Sequence, residues 1–305
     1  MRTARVLFIL GLVALFAAFV GCSDETKVVN DGGLTPDQQA ITDLVNLSPE
    51  FQHDIVSHAV PDTGATLAPG AAVPEARFWW RQYATFDRQV TVNTFPADDQ
   101  HTYAHADVTV KTTCAGTLNV VHRDTNGVYT HTSQAISDVF TQYGTFEQWF
   151  SNTSPNRGWQ CTQMSNILGG SATTALDLST LNVNPATSPD RMYASADFMA
   201  LYVPSTRMDL QENEVVNLWA QSGTGSNRLF RHDWADGQAT RVELVNQDFG
   251  FYTDLLTTPS SLTTAQAQRC LVLDVIAPGV IETGATYDAI IWAVPYVVHV
   301  GGDPQ

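Results

Sequence analysis

From Arg88 onward the apolar residues recur with a period of two, and this constrains the fold more than any other feature of the chain. Val90 and Val92, then Ala104, Ala106, Val108 and Val110, then Leu118 and Val120 alternate with polar residues. Only an extended backbone brings residues two apart onto one face. Turn chemistry separates the runs, at Pro96-Ala97-Asp98-Asp99, Ala115-Gly116 and Asp124-Thr125-Asn126-Gly127. An antiparallel meander with one apolar face is therefore expected. Strand-like runs recur later, over 196–203, 215–220, 228–233, 240–245, 249–253, 269–276 and 288–300, with polar turns between them. Seven short strands of this kind suit an antiparallel sandwich. Pro295, inside the last run, cannot donate to a ladder and is expected at a bulge or an edge. Trp219 and Trp292 are expected as core anchors.

Helical signals are confined to the first half. Thr35-Pro36-Asp37-Gln38 combines an N-cap threonine, proline at the first helical position and a capping-box glutamine, which predicts a helix over 36–47. Ser48-Pro49-Glu50 repeats the start signal ahead of Phe51, Ile55 and Val56. Residues 59–73 are rich in Pro, Gly, Ala and Thr and read as a loop. Ile136, Val139, Phe140, Tyr143 and Phe146 lie at near-helical intervals, so a helix is expected over 135–150, with a closing strand over 157–165. The stretch 173–189 is poor in large apolar residues, and the domain boundary is placed near 185.

The N-terminus carries an address. Arg2 and Arg5 precede an apolar run over 6–20, too short for the roughly 20 residues of a spanning helix, and the run ends in Phe19-Val20-Gly21-Cys22. This arrangement resembles the lipobox of bacterial lipoproteins, although Phe19 stands where leucine is usual. The resemblance implies a signal peptide over 1–21, diacylation of Cys22, a flexible tether over 22–34 and attachment to a membrane of the cell envelope, the outer one in a two-membrane cell. Both arginines would leave with the signal, and no acid would, so 13 basic side chains would face 31 acidic ones. The remaining arginines are scattered and the only lysines are Lys27 and Lys111, which excludes a nucleic-acid partner. Three cysteines would remain outside the cytoplasm: Cys114, Cys161 and Cys270. A disulfide between Cys114 and Cys161 is expected, with three reduced thiols as the alternative.

Helices followed by an antiparallel meander and Arg157-Gly158-Trp159 running into Ser165 resemble the cystatin-like cone of the nuclear-transport-factor-two-like superfamily, over about 35–170. Residues from about 190 to 305 resemble an immunoglobulin-like sandwich by strand number and spacing. The fold class expected from these resemblances is an α+β cystatin-like cone, with N-terminal helices on a curved antiparallel sheet, over 35–184. An all-β immunoglobulin-like sandwich would follow over 185–305.

Chemistry is sparsely marked. In a cone, His122 continues the inward apolar face and is a candidate general base, with a carboxylate such as Asp87 or Asp107 as the alternative proton-transfer group. Trp79 and Trp80, with Tyr83 and His122, could line a pocket for a planar or sugar ligand, or could be helix-to-sheet core. Tyr103, His105 and Asp107 share one strand face near His101, a weak pattern from which no metal site is assigned. No cofactor is expected, since phosphate loops, dinucleotide fingerprints, nucleophile elbows and zinc-protease helices are all missing. Two readings stand. One is a lipid-anchored, non-catalytic envelope module that binds an unknown protein or small molecule. The other is an isomerase, cyclase or hydrolase acting in the cone pocket.

Overall fold

A computed structural model describes residues 26–27, 33–51, 76–123, 128–223, 227–235, 238–258 and 266–300. The lipobox, Cys22 and most of the tether lie outside these residues, as do the turn at 124–127 and the loop at 59–73. No described helix is long and apolar enough to cross a membrane.

The alternation that marks the sequence belongs to three long strands. After a two-residue strand β1 (Thr26–Lys27) and helix α1 (Pro36–Leu47) come β2 (Ala76–Phe95), β3 (His105–Arg123) and β4 (Tyr129–Gln148). They form an antiparallel meander. Short strands follow: β5 (Trp159–Met164), β6 (Ile167–Gly170), β7 (Leu178–Pro185), β8 (Arg191–Ala194) and β9 (Met208–Gln211). The chain continues with β10 (Val215–Ser222), β11 (Arg228–Ala235), β12 (Gln238–Glu243), β13 (Val245–Asn246) and β14 (Phe251–Thr257). It closes with β15 (Gln266–Ile276) and β16 (Ala289–His299).

These make two sheets. The larger runs β1-β2-β3-β4-β6-β16-β15-β11-β12, with β5 beside β4 and β9 beside β16, and the smaller runs β13-β14-β10-β7-β8. Hydrogen bonds between β6 and β16 carry the larger sheet across residue 185. That sheet curls on itself. Trp79 of β2 meets Phe230 of β11 edge to face at 5.1 Å, and the Arg241 guanidinium of β12 lies 3.6 Å from the centre of the Trp79 ring.

Three layers of apolar side chains result. Leu271, Leu273, Trp292 and Val294 face Leu181, Val183, Val216 and Leu218 of the smaller sheet. The other face of β15 and β16 packs on the meander through Cys114, Phe140, Ile167, Val272 and Ile291. At the far end of the meander, Val90, Val92, Val108 and Phe146 are covered by Ile41 and Val45 of α1 and by Phe51. The N-terminus of α1 is the expected capping box: Gln38 N donates to Thr35 Oγ1, and Thr35 N donates to Gln38 Oε1.

The cystatin-like cone is not formed. One α-helix covers a meander whose sheet continues into the second half, and the described chain is mostly strand. Pro49–Phe51 is a single 3-10 turn, and the rest of the expected second helix lies outside the described residues. The expected helix over 135–150 is strand β4. Its buried positions are Ile136, Asp138, Phe140, Gln142, Gly144 and Phe146, strictly every second residue. Two polar residues and a glycine on the inner face hide the period of two, while Val139 and Tyr143 on the outer face complete a false helical spacing. Residues 196–199 form a turn rather than a strand, and of 200–203 only Tyr202 makes a β-bridge, to Met164. The antiparallel β content of the second half is consistent with a sandwich. Ala115-Gly116 is not a turn, since β3 runs straight through it. Pro295 lies within β16, opposite Cys270 of β15. On the other side of β16, β6 pairs only with Ile290–Ala293 and β9 only with Tyr296–His299. The proline thus stands in the gap between two short neighbours, where no partner needs its missing N–H.

Candidate functional site

The expected pocket residues do not converge. Trp79 and Trp80 are neighbours on one strand and so face opposite sides of it. Trp79 is buried against Phe230, whereas Trp80 stacks on His131 at 5.6 Å. Tyr83 points inward and donates to Asp138 at 2.5 Å. His122 pairs in register with Ala76 and Thr130 and is half-buried near one end of β3. Asp87 lies opposite Thr113, and Asp107 is exposed opposite Asn93. At a rise of about 3.3 Å per residue these registers place His122 about 30 Å from Asp87 and about 50 Å from Asp107. The three alternative proton-transfer groups therefore lie apart and share no common site.

Cys114 and Cys161 are likewise free thiols rather than a disulfide, and so is Cys270. Cys114 is in register with Asp138, and Cys161 with Phe146 of the same strand. That separation is about 26 Å along β4, far beyond disulfide reach.

Sequence reasoning missed a buried polar cluster that joins the two layers of the curled sheet. Arg81 of β2 holds Asp274 of β15 through both terminal nitrogens, with Nη2 to Oδ1 at 2.8 Å, and its Nε donates to the Tyr287 hydroxyl at 2.8 Å. Tyr287 donates to Asp138 of β4, and His232 Nε2 of β11 lies 3.0 Å from Asp274 Oδ2. Asp138 and Asp274 have no exposed surface. Burial alone would raise the Asp274 carboxyl, but the Arg81 charge and hydrogen bonds hold it well below the usual range. Burial dominates at Asp138, whose carboxyl is raised despite Arg81. His232 is lowered by burial against the pull of Asp274, so it is held neutral. Such shifts accompany active sites and structural networks alike. Here the members spend their polar atoms on one another across the curl, which makes the cluster a fastening.

The surface is more telling. On β10, Val216, Leu218 and Ala220 point into the core, leaving Val215, Asn217, Trp219 and Gln221 on the outer face of the smaller sheet. Trp219, expected as a core anchor, is 56% exposed, while Trp292 is buried as expected. Register aligns Trp219 with Thr253 and Val245 on one side and with Asn182 and Met192 on the other, one row crossing all five strands. Leu255, Asn217 and Asn184 make the next row, and Phe251, Gln221, Thr180 and Ala194 the row beyond. Leu255 is 55% and Met192 71% exposed. None of these twelve positions carries a charge, in a chain of formal net charge −16. An uncharged face of aromatic, aliphatic and amide groups can stack on an apolar ring face and hydrogen-bond hydroxyls around it.

No protein-family model matches the chain, and no curated protein sequence matches it.

Proposed function

We propose that this chain is a non-catalytic, lipid-anchored module of the bacterial cell envelope that binds a neutral polysaccharide on the outer face of its smaller sheet. The observation that carries the reading is the uncharged row Val245, Thr253, Trp219, Asn182 and Met192. An acidic protein that keeps one sheet face free of charge, with an indole at its centre, matches a ligand rich in hydroxyls and apolar ring faces. A charged polymer would call for countercharges on the same face. The anchor rests on Arg2, Arg5, the apolar run and Gly21-Cys22. In the enzyme reading His122, Asp87 or Asp107 would each have to act without the other two, which lie far along the sheet.

Co-sedimentation of the full chain with insoluble neutral polysaccharides tests the ligand class. Wild type is expected in the pellet and Trp219→Ala in the supernatant, a loss of roughly 30-fold in affinity for a central aromatic anchor. Failure of wild type to pellet with any neutral polysaccharide, or equal pelleting of the variant, would refute the reading. For the anchor, Cys22→Ser is expected to move the protein from the membrane to the soluble fraction. Continued membrane association would remove the lipid from the account.

A further inference from the structure

We infer that the turn joining β2 to β3 is a site for one transition-metal ion of the Zn2+ or Cu2+ class, held by Asp98, His101 and His105. One donor atom from each of the three lies within 4.8 Å of the others. The turn is rigidly tied. Asp98 N donates to His101 O at 3.0 Å, while Asp98 Oδ1 accepts from Gln100 N at 2.9 Å and from His101 N at 2.7 Å. His101 Nδ1 lies 3.0 Å from the same oxygen. That separation is close to the ~3.3 Å between two donor atoms on one ion, so an ion there would take the place of the proton the pair now shares.

His105 supplies the independent observation. It is only 8% exposed, wedged between Phe95 at 5.0 Å and His101 at 3.8 Å between ring centres, and its Nδ1 is buried without a hydrogen-bond partner. A buried ring nitrogen with no partner is destabilising unless something else satisfies it. An ion shared with His101 and Asp98 does so. Two imidazoles and one carboxylate favour borderline ions over Ca2+ and Mg2+, which take oxygen ligands. Three protein ligands leave a position for water or a further group. The two rings are 23° from parallel, so binding requires them to tilt and the donors to close to about 3.3 Å of one another for bonds of about 2.0–2.2 Å. His101, half-buried on the turn, would be the ring that moves, exchanging its side-chain bond to Asp98 for the ion.

The test is equilibrium dialysis of the untagged, chelator-treated full chain against micromolar Zn2+. One equivalent is expected to bind and to resist a hundredfold excess of Ca2+. His101→Ala and Asp98→Asn are each expected to weaken binding at least tenfold. His131→Ala, on the meander away from this turn, is expected to bind as wild type does. Asp98 is exposed and His101 half-buried, and thermal melts without metal check that both variants fold. Absence of bound zinc in wild type, or undiminished binding by either variant, overturns the assignment.

Discussion

Arg81 and Asp274, 193 residues apart in the chain, meet in a two-pronged ion pair with neither side chain open to solvent. The pair bridges β2 and β15 and so fixes how the larger sheet curls. Removing one partner strands the other charge in the core. Arg81→Met is therefore expected to destabilise the fold by about 3–5 kcal/mol in urea unfolding, and adding Asp274→Leu should recover much of that loss. A single-variant loss below about 1 kcal/mol would show that the bridge does not hold the curl.

His232, hydrogen-bonded to Asp274, gives the fold an acid limit. Burial lowers its pKa from the ordinary 6.5. Above that value both folded and unfolded chains carry it neutral. As pH falls below about 6.5 the unfolded chain gains a proton that the folded chain refuses, so stability is lost towards acid. Asp274, also depressed, adds its own loss only below its ordinary carboxylate range. Urea midpoints at pH 7.5 and 5.0 should fall further apart in wild type than in His232→Asn. Equal differences would contradict the assignment.

Three thiols are expected where the sequence led us to expect a disulfide. Burial pushes the Cys161 thiol up to about 12 and raises Cys270 as well, so few thiolates exist at pH 8 in the folded chain. Without reductant, a thiol reagent should label Cys114, Cys161 and Cys270 only after denaturation. Labelling of Cys270 alone would restore the disulfide.

Gly116 lies at an irregularity of the β2–β3 ladder, beside the step between Tyr83 and Thr85. A Cβ there would stand 2.0 Å from the Gln82 carbonyl oxygen. The neighbour is backbone, so Gly116→Ala must part the strands and is expected to destabilise by about 1–3 kcal/mol or more. A variant as stable as wild type would place β2 differently.

What was legible in the sequence was local. Thr35 and Gln38 announced α1 because a capping box is complete within four residues. Val108, Val110, Leu118 and Val120 announced extended chain by their alternation, but Ala115-Gly116 between them read as a turn, so the single strand β3 was seen as two. β4 was hidden because Asp138 and Gln142 are buried for partners that no local pattern reveals. Trp219 read as core because bulk, rather than register, was visible, and its exposure depends on which face of the smaller sheet meets β15 and β16. His101 and His105 were visible as a pair, but Asp98, rather than Asp107, joins them through the geometry of the turn.

The most direct test of the central claim follows the indole N–H signals of the seven tryptophans by NMR while a soluble neutral oligosaccharide is added, with Trp219→Phe identifying the Trp219 signal. The account predicts that the Trp219 signal shifts while those of the buried Trp79 and Trp292 stay in place. Shifts at Trp79 or Trp292 with Trp219 unmoved would put the ligand inside the fold and contradict it.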